Sequence, residues 1–351
     1  MRGVNNLFLT NNFDIVRLFG AFQVAIANHY ISFFAIDIDV SLMKAFSGVP
    51  IFFFLAGIFI PMSIKNNNLF DFITNRILRI FPLMWISIIL GVILMFIAGY
   101  YPKTNAGNFI AWLFSYLVYP LYTPEYLRDY GVGAINGALW IIPTQITFYI
   151  FALCFYAFVK KNRGIWIVIT FISLLSLKLL LLNVLMPNAP IVLVKVINTS
   201  FLVQFPMFLF GIFVSENMNF FVKIVKGKFL LFLFIHLFFF YLLKYGFSIT
   251  VSALATDPTI FKYPFMITLG LLVLSAGYTM PKLSDNILHR NDISYDIYVF
   301  HMPVANFVIY TMGKGFVNCT IAIILTGIIS IVSYKYIEKN ISKLKKKSLR
   351  N

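Results

Sequence analysis

Ten windows of about 20 predominantly apolar residues punctuate the chain, near 13–34, 43–63, 78–99, 140–159, 164–185, 197–215, 229–246, 260–279, 293–311 and 316–337. A helix of about 20 residues, rising about 1.5 Å per residue, matches a hydrocarbon core of about 30 Å. The pattern therefore predicts an all-α polytopic membrane protein with ten transmembrane helices. A shorter apolar piece, 109–121, contains Pro120 and reads as a re-entrant or interfacial helix. It lies in the longest connection, 100–139, which also holds Pro102, Pro124 and several glycines. Connections of that length are commonly functional. No internal repeat or appended soluble domain breaks the series, so residues 1–351 read as one membrane domain with a basic tail from about 338.

Composition turns this pattern into a class. The chain is 60% hydrophobic and 11% charged, with a mean hydropathy of +0.88. A soluble domain this apolar has too little polar surface to cover itself. The 41 Phe and 19 Tyr suit a lipid-facing surface with aromatic belts. A net charge of +16 raises nucleic acid as a partner, but the basic residues sit in short loops between spans and in the tail KLKKKSLRN. That placement sets topology and meets anionic membrane lipids; it is not a nucleic-acid face. With the N-terminus inside, 19 of the 28 Lys and Arg fall on inner segments and seven on outer ones (Lys44, Lys103, Arg128, Lys195, Lys244, Lys262 and Lys314), Arg17 and Lys178 lying within spans. Both termini are thus expected in the cytoplasm. The first apolar run is too long for a signal-peptide core and is expected to stay in the mature chain. Cys154 and Cys319 lie in apolar runs and support neither a disulfide framework nor a metal site.

Polar chemistry concentrates in 13–34, FDIVRLFGAFQVAIANHYISFF, which carries Asp14, Arg17, Gln23, Asn28 and His29. Ionisable groups within a span are costly, about 2.5–3.5 kcal/mol for a central Arg, and a helix that only anchors has no use for them. Arg17 and His29 are twelve residues apart, about 18 Å along a helix axis. Topology puts Arg17 in the inner leaflet and His29 towards the outer one. His29 is either a general base or a hydrogen-bonded bundle residue. Arg17 either binds an anion or reaches the inner interface paired with Asp14. A cytoplasmic ligand held at Arg17 with a reactive end near His29 needs an anionic head and a narrow arm, which coenzyme A has.

Further along, Arg76 and Arg79 share one helix face in NRILRIFPLMW and suit either positive-inside anchoring or bidentate contact with phosphates. Trp140, Gln145 and Tyr149 fall in LWIIPTQITFY, where Gln145 needs a polar partner inside the span. Tyr295, Asp296 and His301 enter with ISYDIYVFHMP, and His301 reads first as structural.

Taken in order, FDIVRLFGAFQVAIANHY, GVPIFFFLAGIFI, NRILRIFPLMW, LWIIPTQITFY, ISYDIYVFHMPV and SYKYIEKNISK resemble the acyltransferase-3 family of integral membrane acyltransferases. The resemblance covers essentially the whole chain. It implies ten helices in a bacterial cytoplasmic membrane and transfer of an acyl group, commonly acetyl, from cytoplasmic acyl-coenzyme A to a hydroxyl. Acceptors are mostly sugars of exported or lipid-linked glycans. Acyl-coenzyme A is then a co-substrate, with no permanently bound cofactor. His29 matches the essential histidine, and Arg17, Arg76 and Arg79 match arginines expected near the donor. Trp140, Gln145, Tyr149, Tyr295 and His301 are expected to line the site.

Three departures mark a divergent branch. Eleven residues rather than ten separate Arg17 from His29, which rotates His29 by about 100° unless a π-bulge absorbs it. Gln145 stands where the family has glutamate, and Ala56 where serine precedes Gly57. A transporter or lipid-linked glycan flippase, and a catalytically weakened relative, are the alternative readings; a transporter of this size commonly shows broken helices repeated in two halves.

Overall fold

The computed structural model describes residues 11–34, 41–181, 197, 200–248, 262–280, 282–289 and 291–341. Arg2, Lys195, Arg290 and the basic tail from 342, part of the charge pattern above, lie outside the described residues. Among the described residues every regular element is helical. In chain order they are α1 Phe13–Phe34, α2 Ser41–Ala45, α3 Gly48–Asn66, α4 Leu69–Ile97, α5 Ala106–Val118, α6 Ile141–Phe158 and α7 Arg163–Leu180. Then come α8 Phe201–Glu216, α9 Met218–Val225, α10 Phe229–Tyr241, α11 Lys262–Tyr278, α12 Leu283–Leu288, α13 Ser294–Met312 and α14 Phe316–Ser333.

Among the described residues six helices, Leu42–Asn66, Leu69–Ile97, Gly137–Phe158, Arg163–Leu180, Phe229–Gly246 and Phe316–Ile341, are long and apolar enough to cross a membrane. α8 and α9, bent by 98°, make a seventh if they form one span. The other three expected windows are helical but fall below that standard for physical reasons. α1 and α13 carry ionisable and amide side chains that lower their hydropathy, and α11 has only 17 residues. α4 is longer than its window, starting at Leu69 because Asn68 caps it with its side-chain oxygen, which accepts from the Asp71 N–H at 2.8 Å. Arg76 and Arg79 therefore sit inside a helix and not in a loop. α5 ends before Pro120, with Tyr119 turned to φ −142°, ψ 88°, as a residue preceding proline prefers.

The chain divides into two compact units: Met1–Gly20, Ser41–Asn66 and Thr144–Asp292 in the first, Ala21–Val40, Asn67–Pro143 and Ile293–Asn351 in the second. α1 contributes residues to both.

In the first unit α3 packs along α8 through glycines. A Cβ on Gly57 would overlap the Phe208 carbonyl oxygen and lie 2.9 Å from Gly211 Cα. Only two missing side chains allow backbones this close, as small residues do in lipid-buried packing. Where α8 ends, Glu216 gathers Lys65 Nζ at 2.7 Å, Tyr156 Oη at 2.5 Å and Arg163 Nη1 at 3.4 Å. His236 on α10 is fully buried, stacked on Phe265 and held by Thr268 Oγ1 and the Ala45 carbonyl, each at 2.9 Å.

The second unit is built on α13, which packs against α4 and α14 and is buried along most of its length. Pro303 has no N–H, so Val299 four residues earlier loses its helical donor. Asn136 Nδ2 supplies the replacement at 2.8 Å and also donates to Ser87 Oγ on α4 at 3.2 Å. Asn306, one turn beyond, donates to the Ala134 and Ile135 carbonyls at 2.6 and 3.1 Å and accepts from the Val132 N–H at 2.9 Å. Gly131, at φ +59°, lies so close that a Cβ would be 2.7 Å from Asn306 Cα. Tyr298 Oη donates to the Ala138 carbonyl at 2.6 Å. The end of connection 100–139 is thus bonded residue by residue onto α13.

Candidate functional site

His29 is carried by α1 and is fully buried. Its Nε2 lies 3.1 Å from the backbone carbonyl of His301. A carbonyl oxygen can only accept, so Nε2 holds a proton, and in the neutral ring Nδ1 then holds the lone pair. Nδ1 is buried and makes no hydrogen bond among the described residues. A neutral imidazole with its proton committed and its lone pair open is in the form a general base requires.

His301, also fully buried, is fixed by the same logic. Its Nδ1 donates to the Tyr298 carbonyl at 2.7 Å, which leaves Nε2 to accept from Asn28 Nδ2 at 3.1 Å. The two imidazole centroids are 5.9 Å apart and nearly edge to face. His301 thus has a hydrogen-bond partner at each ring nitrogen, and its backbone carbonyl sets the tautomer of His29. His29 lines a narrow crevice with Ala25 and Ile26 of α1, Ile297 of α13 and Ile323, Thr326 and Gly327 of α14.

Arg76 and Arg79 project from the first turns of α4, three residues apart and half-buried, with the Arg76 guanidinium 5.3 Å from the centre of the Phe72 ring. Tyr295 Oη donates to the Ile80 carbonyl at 2.8 Å, joining the start of α13 to the turn that bears Arg79. Trp140 closes the short 3-10 turn Gly137–Trp140 ahead of α6 and is half-buried.

The remaining candidates belong to the first unit. Arg17 Nη1 lies 2.9 Å from Asp14 and 3.3 Å from Asp292, with its guanidinium over Phe59 at 4.8 Å. The pairing with Asp14 read from their spacing is present. α1 is α-helical throughout. No π-bulge absorbs the extra residue, and twelve residues at about 100° each leave Arg17 and His29 about 120° apart around the axis. Gln145 Nε2 donates to Tyr149 Oη at 2.6 Å one turn along α6.

Asn28, Asn136, Tyr298, Asn306 and Thr326 were not read as site residues. Their signal was an amide or hydroxyl inside an apolar run, which demands a buried partner. The partners of Asn28, Asn136 and Asn306 come from distant segments, so sequence alone could not name them.

A family model described as an acyltransferase domain matches residues 10–335. Nodulation protein 10 of Rhizobium leguminosarum bv. viciae is 26% identical over 315 residues, covering 84% of this chain and 82% of that relative. An O-acetyl transferase of Shigella phage Sf6 is 28% identical over 175 residues, or 47% of this chain and 52% of that relative. No solved structure matches the chain. The family match takes in every candidate from Arg17 to His301, so this helical membrane protein belongs to the acyltransferase-3 family and is an acyltransferase.

Proposed function

We propose that the protein is a ten-span membrane O-acyltransferase with both termini cytoplasmic, moving an acetyl group from cytoplasmic acetyl-coenzyme A to a hydroxyl of an exported or lipid-linked glycan. The observation that carries this reading is His29, a buried imidazole with Nε2 bonded and Nδ1 open, in a chain of an acyltransferase family. The acceptor hydroxyl gives its proton to Nδ1 as its oxygen bonds to the thioester carbonyl carbon. The carbon–sulfur bond then breaks, and the proton passes from His29 to the departing coenzyme A sulfur. Transfer is direct, without an acyl-enzyme, which is the simpler course because no Ser or Cys nucleophile stands beside a base in the sequence motifs.

Arg76 and Arg79 receive the donor's phosphates, for which paired guanidinium forks are suited. Arg17, the third cation assigned to the donor, would have to exchange one of its carboxylate partners for phosphate. In cells carrying the glycan, His29→Ala should lower acylation about 100- to 10,000-fold, the usual range for a general base, with protein level unchanged. Mass spectrometry of the surface glycan reads the result. Undiminished acylation in that variant would remove His29 from the chemistry.

A further inference from the structure

The crevice beside His29 has about 10 Å³ of free volume, a position the size of one water or one methyl group. Its walls are apolar apart from His29 and Thr326. Thr326 is buried, and its Oγ1 donates to the Ala322 carbonyl at 2.8 Å, so its hydrogen is spent. With the His29 proton on Nε2, the lining side chains offer two acceptors and no donor. A carbonyl oxygen entering here would find no hydrogen bond; an O–H would find the His29 lone pair, and the apolar remainder of the wall suits a methyl group. Gly327 forms part of one wall, and a Cβ built on it meets nothing within 4 Å.

We propose that this crevice is the acyl pocket, seating the methyl end of a two-carbon donor and excluding longer chains, with Gly327 and Ile323 setting its depth. The assignment rests on the reading of His29 as the base. The thioester carbonyl stays outside the pocket, and the reacting hydroxyl stands at its mouth, where its hydrogen reaches His29. Each methylene beyond acetyl must displace packed side chains, and a hydrophobic pocket discriminates one methylene by about 10- to 200-fold.

The test uses membranes from producing cells, assayed for His29-dependent release of coenzyme A from acetyl-, propionyl-, butyryl- and hexanoyl-coenzyme A. Acetyl should be preferred over butyryl in kcat/KM by about tenfold or more. Gly327→Leu should lower the acetyl value about tenfold, and Ile323→Ala, which deepens the crevice, should raise the butyryl-to-acetyl ratio about tenfold. Should Gly327→Leu fail to accumulate, Ile323→Ala still decides. Equal use of all four donors by the unaltered protein, or a chain-length ratio untouched by Ile323→Ala, would overturn the pocket while leaving an inactive His29→Ala variant to support the base. Full release by His29→Ala would overturn the base and the pocket together.

Discussion

Replacing Asn306 by alanine should release the end of the long connection from α13. Asn306 is fully buried and makes three hydrogen bonds to the backbone of residues 132–135. Each is worth about 0.5–1.5 kcal/mol net, and a buried partner left unsatisfied costs about 1–3 kcal/mol. Ile135 is 1% exposed, so its carbonyl has little access to replacement water, while Val132 is exposed and its N–H recovers more easily. Taken together the loss is about 2–4 kcal/mol, or roughly 30- to 1,000-fold in the local opening constant, each factor of ten being about 1.4 kcal/mol. Hydrogen exchange on the full chain in nanodiscs reads this directly, as faster exchange in peptides covering 130–136 with α3 and α8 unchanged. Asn306→Asp should not rescue it, because it keeps the acceptor for Val132 but turns an oxygen towards two carbonyls. Unchanged exchange at 130–136 in Asn306→Ala would refute the anchoring argument.

Two further outcomes concern the first unit. Gly57→Ala places a Cβ against rigid backbone of α8 and should destabilise by about 1–3 kcal/mol, as overpacking does, whereas Gly164→Ala, whose Cβ meets only Phe213 at 4.0 Å, should be tolerated. Thermal challenge followed by size-exclusion chromatography in detergent compares the two, and equal survival would count against the close approach of α3 and α8. Glu216→Gln keeps the shape but leaves Lys65 and Arg163 facing a neutral amide. Partial exposure reduces the buried-pair cost to about 1–3 kcal/mol. Because the Lys65 side chain is 40% exposed, the same assay in about 1 M salt should show a smaller difference between variant and parent, the Debye length there being about 3 Å.

The apolar windows were legible because helix formation in an apolar run depends on local residues, and nearly all of them are helical. Where a boundary moved, as at Leu69, a local cap outweighed hydropathy. The residue types of the chemistry were legible too: a histidine and an arginine on one apolar helix stand out because the membrane penalises them. Sequence could supply His29 but not the nitrogen that carries its lone pair. That was decided by the His301 carbonyl, 272 residues away along the chain. Likewise Pro303 announced a missing donor, but only packing brought Asn136 to the Val299 carbonyl. The crevice needed α1, α13 and α14 side by side. Sequence determined which segments are helical and which residues are chemically costly. Tertiary structure determined which distant group satisfies each of them, because hydrogen bonds and voids depend on distances in space.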